Sequence, residues 1–528
     1  MLTANHYYKH KLPGYVLMKP LTIISIISGL VIFGCTPGPS EQTGEALYAE
    51  YCQPCHGIDG TGDGQLAYLL YPKPRDLSSG LYKLRSTREG QLPSDDDLFR
   101  TIRAGMQGTS MPSFTFLGDE NIQKIVDYIK AFDPGFQDEP REPIDVPEPL
   151  PYSERLVTIG EKTYTELGCH RCHGDTGAGD GPSADELKDA WGYPIYVRDF
   201  TRGYYLGGYE PEDLYLRFIA GMSGTPMPSY EGSLSFIADT DEELQEMLWG
   251  LIHYVKDLET EEARALRVDE PGDGVISASK INLTEREKLS DPVARHWEDI
   301  PVYHIPVSRL WQSVHDDAGV VNVRAVYNGS HVALLLEWRD NKQAASALRP
   351  QDYHDAAAVQ FSLSDNPGFH GMGSREKPVD IWFWRASWQL YVDEGISPDI
   401  EYAYGARASD AVVDDYPEFI DEYTFLPGIN AGNPVSRREI DTPVEAMNAV
   451  GPETSAMRPD QDVDGKGVWN GETWRVVFVR ELTTDSDTSV QFTGNDPHWI
   501  SFAVWDGDAG DRDGLKKVST WYRLRFDK

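Results

Sequence analysis

Cys52-Gln53-Pro54-Cys55-His56 recurs later in the chain as Cys169-His170-Arg171-Cys172-His173. A Cys-x-x-Cys-His run is the attachment site of a c-type haem. The two thiols form thioether bonds to the porphyrin, and the histidine is placed to ligate iron. A dithiol redox site does not need the adjoining histidine. A zinc site would need four ligands converging from two distant loops. Each motif also has a methionine partner downstream. His56 is followed by Gly105-Met106-Gln107-Gly108-Thr109-Ser110-Met111-Pro112-Ser113-Phe114, and His173 by Gly221-Met222-Ser223-Gly224-Thr225-Pro226-Met227-Pro228-Ser229-Tyr230. The near-identical spacing from histidine to Met-Pro marks an internal repeat.

Cysteine usage agrees with this reading. Of the five cysteines, four belong to the two motifs, so none remains for a structural disulfide. The fifth, Cys35, ends the apolar run 21–33. That run is short for a bilayer span and has a small residue before the cysteine, which predicts an export signal over residues 1–34. The segment resembles a bacterial lipoprotein signal, which implies lipidation of Cys35 and a location on the periplasmic side of a membrane. Uncleaved anchoring or plain secretion is the alternative. Met18 is a natural start as well as Met1. The balance of 48 basic and 85 acidic residues, −37 overall, points away from nucleic acid and anionic lipid headgroups as partners. It suits steering of a basic redox partner or simple solubility.

A chain of 528 residues predicts several domains. Residues 35–44 read as a tether and 45–132 as a first helical domain. Residues 133–152, rich in proline and acid, read as a stiff extended linker. Residues 153–262 read as a second helical domain. The apolar positions Ile122, Ile125, Val126 and Ile129 keep helical spacing in the closing segment of the first. Both domains resemble class I cytochrome c. The resemblance implies a small helical bundle around one covalent haem, with axial pairs His56–Met111 and His173–Met227. Met106 and Met222 compete as ligands. The Met-Pro dipeptide favours Met111 and Met227, because proline stiffens the loop that carries the sulfur.

Beyond residue 262 the cysteines vanish, and eleven of the thirteen tryptophans lie at or after Trp297. Short runs rich in β-formers, with Asn328-Gly329 and Asn470-Gly471 turns, predict an antiparallel β-sandwich. Three blocks make this region similar to the γ subunit of ethylbenzene dehydrogenase: Asp355 to Phe361, Gly371-Met372-Gly373 with Lys377 to Trp384, and Gly465-Lys466-Gly467-Val468-Trp469 with Trp474 to Phe478. The resemblance covers about residues 270–528. It implies one non-covalent haem b held between a methionine and a lysine, here Met372 and Lys466. A neutral amine ligates iron once burial and the metal displace its proton. His331, His354, His370 and His498 are the fallback ligands.

Members of that family are electron-transfer subunits of periplasmic molybdenum enzymes. The resemblance therefore implies a non-catalytic chain with two haems c and one haem b. Its partners would be a molybdoenzyme with an iron–sulfur subunit at one end and a soluble or membrane-bound redox carrier at the other. Two other readings stand beside it: a stand-alone lipoprotein dihaem cytochrome serving an oxidase or extracellular acceptor, and a carbohydrate- or surface-binding module with a redox arm. The sequence contains no evident nucleophile–base pair or open three-ligand metal site.

Overall fold

The computed structural model describes residues 42–106, 109–138, 141–203, 205–266, 274–283, 285–309, 319–345, 353–368, 371–394, 441–452, 454–493 and 497–526. The N-terminal part is helical and the C-terminal part is β-rich.

In the first helical bundle, Gly44–Tyr51 runs into the first cysteine and crosses the closing helix Asp119–Ile129. Ile122, Ile125, Val126 and Ile129 of the closing helix are buried. Between them lies Asp95–Ala104, started by a Ser94/Asp97 capping box and three acids in its first turn, which favour the positive end of the helix dipole. The second bundle repeats the plan with Glu154–Glu166, Pro211–Ala220 and Asp241–Asp257. The crossing of first and last helices is close enough to require glycine. A Cβ on Gly44 would sit 2.1 Å from the Lys124 carbonyl oxygen, and one on Gly160 would sit 2.0 Å from that of Gly250. The repeat extends to single bonds. Tyr48 Oη donates to the Gly57 carbonyl at 2.7 Å, and Tyr164 Oη donates to the Gly174 carbonyl at 2.7 Å.

The proline-rich segment between the bundles is not a free spacer. Pro143 bridges to Thr87, the Ile144 amide donates to the Ser86 carbonyl at 2.7 Å, and Ile144, Val146 and Leu150 pack on the second core.

The β-rich part contains strands β1 (Val275–Lys280), β2 (Tyr303–Arg309), β3 (Gly319–Tyr327), β4 (His331–Arg339), β5 (Ala356–Ser362), β6 (Val379–Arg385) and β7 (Val444–Ala449). They are followed by β8 (Ala456–Met457), β9 (Asp464–Trp469), β10 (Thr473–Glu481), β11 (His498–Trp505), β12 (Lys517–Val518) and β13 (Tyr522–Phe526). The hydrogen-bonded path runs β8-β7-β6-β5-β11-β12-β2-β3-β4-β10-β9, so β12 and β2 join two halves. One core contains Val359, Trp382 and Phe502 from the first half and Val323, Leu334 and Val476 from the second. A purely antiparallel arrangement is corrected in one respect: β1 pairs parallel with both β13 and β3. Strand direction here is set by distant partners, which local alternation does not encode.

Candidate functional site

Cys52 caps the helix Gly44–Tyr51, and a short helical turn, Gln53–His56, carries Cys55 and His56 onto the wall of a cleft. His56 Nδ1 lies 2.9 Å from the Arg75 carbonyl oxygen. That acceptor selects the Nδ1–H tautomer and leaves Nε2 as the lone-pair nitrogen. In the second bundle Cys169, Cys172 and His173 line an equivalent cleft, and His173 Nδ1 lies 3.2 Å from the Arg198 carbonyl oxygen. The His173 ring also stacks on Phe200, with centroids 4.3 Å apart. Burial pushes both imidazoles below their ordinary range, His173 to about 4, against the opposing pull of the carbonyl bonds. Neutral imidazole is the form that ligates iron.

Each cleft is also lined by the methionines singled out in the sequence: Met106 and Met111 in the first, Met222 and Met227 in the second. Within each loop the first methionine's amide donates to the carbonyl of the second, at 2.9 Å and 3.0 Å. Ser113 Oγ and Ser229 Oγ tie the loop ends back to the Arg103 and Ile219 carbonyls. Met111 and Met227 pack against their respective cores, which fixes the side chains of the Met-Pro pair.

The two clefts adjoin. Pro72, Lys83 and Thr109 line both. The bundles are joined by the Arg85 guanidinium, which donates to the Ala220 carbonyl and Ser223 Oγ, and by Arg217 Nη2, which donates to the Arg85 carbonyl at 2.9 Å. Burial, helped by repulsion from Arg75, pushes the Lys83 amine down to about 8.

The third site centres on Met372. Met372 takes a left-handed backbone, φ 75°, a conformation rare for a side chain of its size. It lies beside a cluster made of Ala356, Ala358, Ile381, Trp505 and Trp521 on one face of β5, β6 and β11. Its Sδ lies 3.7 Å from Nζ of Lys516. The Lys516 amine also lies 4.8 Å from the Trp505 ring centroid, and burial pushes it down to about 8.

Lys466, the lysine that the resemblance pairs with Met372, is exposed on β9. Its neighbours Gly465 and Gly467 face inward, where a Cβ would strike Val444 and Trp384, so the two-residue alternation turns Lys466 outward. Lys516 stands next to Lys517, whose backbone pairs with Arg309 and Val504. The signal that could have found it is a lysine directly preceding Lys517-Val518-Ser519-Thr520-Trp521.

Of the fallback ligands, His498 packs on Phe492 and Phe526, and His331 pairs with Ser330. His354 is half-buried beside Asp355, and its Nδ1 has no hydrogen-bond partner. His370 and Cys35 lie outside the described residues.

The first bundle touches this third site. Phe116, which follows the Met111 loop, packs in the same cluster as Met372 and meets Trp499 edge-on at 6.1 Å. Thr520 Oγ1 donates to the Ser113 carbonyl at 2.5 Å, Ser308 Oγ to the Thr109 carbonyl at 3.0 Å, and Tyr51 Oη to the Pro367 carbonyl at 3.0 Å. Lys377 forms an ion pair with Glu50. The described tryptophans from Trp297 onward are buried or half-buried, so they form no exposed sugar-stacking platform.

The comparisons with known proteins support an electron-transfer subunit that binds haem. Residues 294–517 match the family described as Ethylbenzene dehydrogenase, and residues 39–129 match the family described as Cytochrome C oxidase, cbb3-type, subunit III. Among curated relatives, ORF7 of Haloferax mediterranei, named as a haem subunit of a respiratory nitrate reductase, is 24% identical over 267 residues, covering 48% of this chain and 77% of that one. The chlorate reductase subunit gamma of Ideonella dechloratans is 29% identical over 157 residues, 27% of this chain and 62% of that one. The dimethylsulfide dehydrogenase subunit gamma of Rhodovulum sulfidophilum is 26% identical over 228 residues, 43% of this chain and 67% of that one.

Proposed function

We propose that the chain is a three-haem relay between an exported molybdoenzyme and a respiratory carrier. In this reading Cys52, Cys55 and His56 with Met111 hold one haem c, and Cys169, Cys172 and His173 with Met227 hold a second. Met372 and Lys516 hold a haem b on one face of a β-sandwich. The haems supply one-electron redox chemistry. The chain anchors the imidazole tautomers, presents thioether sulfur, which raises haem potential, and keeps the Lys516 amine dry enough to be neutral near pH 8.

The observation that carries the reading is the position of the first bundle. Its methionine loop contributes Thr109 to both clefts, and the same loop is held by Ser308 and Thr520 of the β-rich part. Those contacts support the order b, first c, second c. The β-rich part would face the molybdoenzyme, as the names of the three relatives suggest. The second bundle would face the carrier. Cys35 is the proposed lipid anchor on the periplasmic side of the membrane. A pyridine haemochrome spectrum of the intact protein is expected to show two haems c per haem b. Acid–acetone is expected to extract one haem and leave two, and detergent partition of the same preparation checks the anchor. An absence of extractable haem in fully loaded protein defeats the haem-b part of the reading.

Lys83 belongs to the same proposal. It lines both clefts without a hydrogen-bonded or ion-paired partner among the described residues, and Arg75 Nη1 is buried and unpartnered beside it. These two cations, which Asp189 reaches only through space, suit carboxylates of the haem edge. The second bundle has Leu206 where Lys83 follows Tyr82, so one lysine serves both sites. Removing a cation makes reduction harder. Lys83→Gln is expected to lower both haem-c potentials in a spectroelectrochemical titration. A shift confined to one haem would show that the lysine is not shared.

A further inference from the structure

Three acidic side chains outside the haem sites converge where three strands end. Asp340 follows β4, Asp355 precedes β5 and Asp506 follows β11, and one carboxylate oxygen from each lies within 4.8 Å of the others. Asp340 is 6% exposed and Asp355 is 0% exposed.

Hydrogen-bond donors and burial pull these carboxyls in opposite directions. Asp355 Oδ1 accepts from the Gly507 amide at 2.9 Å, and its Oδ2 accepts from the Ala344 amide at 2.7 Å and from Trp474 Nε1 at 2.9 Å. Three N–H donors on one carboxyl group stabilise the anion. Asp506 Oδ1 accepts from the Ala509 amide at 2.9 Å, and Asp340 Oδ1 from the Lys342 amide at 3.1 Å. Asp340 Oδ2 is different: it is sealed from solvent within the cluster and has no hydrogen-bond partner. Nearby cations do not fill the gap. The Lys342 amine pairs with Asp508, and Lys517 acts on Asp340 only through space. Burial first, then mutual repulsion, push the Asp340 and Asp355 carboxyls upward. Lys342 likewise acts on Asp355 and Asp506 only through space, and a buried carboxylate pair without a directly bound counter-charge carries a desolvation cost that a coordinated cation offsets.

We propose that Asp340, Asp355 and Asp506 form a binding site for one hard divalent cation of the calcium class. The donors are all oxygen, which excludes softer metals as the natural occupant. Calcium accepts irregular oxygen sets, whereas magnesium demands near-octahedral geometry. The site also has leverage on its neighbourhood. Asp355 directly precedes Ala356 of the Met372 cluster, and Asp506 directly follows Trp505, the ring beneath Lys516. An ion here clamps the loop after β4 to the strands that carry the third site.

The test uses the full-length, haem-loaded protein. After chelator treatment it is dialysed against calcium in salt sufficient to screen its acidic surface. Bound calcium is measured by atomic emission, and unfolding by circular dichroism. Wild type is expected to retain one more calcium per chain than either Asp340→Asn or Asp506→Asn, and to gain thermal stability with calcium that the variants do not gain. Asp506 is the less buried position, so its variant keeps the comparison valid if the Asp340 variant folds poorly. Equal calcium content in wild type and Asp506→Asn, with no calcium-dependent shift in melting, overturns the proposal and leaves a proton shared between Asp340 and Asp355. A larger shift with magnesium than with calcium overturns the assignment to calcium-class ions.

Discussion

Lys516→Ala is expected to abolish tight binding of the extractable haem while leaving both covalent haems in place. The amine lies 3.7 Å from Met372 Sδ in a buried setting, and alanine supplies no donor there. Lys466→Ala is expected to leave all three haems unchanged, because that side chain is exposed. Haemochrome analysis before and after acid–acetone extraction distinguishes the two variants. The pH dependence has a definite sign. Burial lowers the Lys516 amine to about 8, below the ordinary lysine value. As pH falls through about 8 the amine takes up a proton and competes with iron, so the extractable haem is held less firmly. In the chain free of that haem, the depressed value stabilises the fold progressively as pH rises from about 8 toward the ordinary lysine range, where the unfolded state alone still binds the proton. Retention of a six-coordinate haem b in Lys516→Ala would remove this lysine from the ligand set and bring His354 forward.

Met111→His and Met227→His are each expected to keep the haem attached, since the thioethers are untouched, and to drop that haem's potential. Imidazole favours ferric iron more than a thioether does. The fall is expected to be on the order of a tenth of a volt or more, within the ≈0.8 V range that axial ligands span. Each single variant should lose about half of the near-infrared methionine–iron absorption of the c haems, by ligand counting. An unchanged band in Met111→His or Met227→His would transfer the role to Met106 or Met222, which line the same clefts.

The cysteine, histidine and methionine sets that gather in two clefts were legible in the sequence because the chemistry of such motifs ties residue type to spacing. Thiols and histidine must be adjacent, and the sulfur donor must return on a loop of fixed length. The same constraint appears in space as paired features, such as the Tyr48 and Tyr164 hydroxyl bonds. The lysine of the third site was not legible in this way. Lys466, Lys516 and Lys517 are chemically alike, and only the alternation of a strand or the exit of a turn decides which one faces inward. The parallel partners of β1 were hidden for a related reason: they depend on where a strand's distant neighbours run. The proline-rich segment showed its extended character in the sequence, but its packing on the second core depends on residues far along the chain.

The contacts between the parts share one direction. The β-rich part holds the methionine loop of the first bundle through Ser308 and Thr520, and the first bundle holds the methionine loop of the second through Arg85 and Ser223. Each part grips the next by the same handle. Such head-to-tail joints are heterologous, and nothing in them requires closure. The chain of grips stops at the second bundle, because Gly208 stands there where the first bundle has Arg85. Lengthening such a molecule would need more than duplication of the last unit: the arginine that makes the joint would have to be restored.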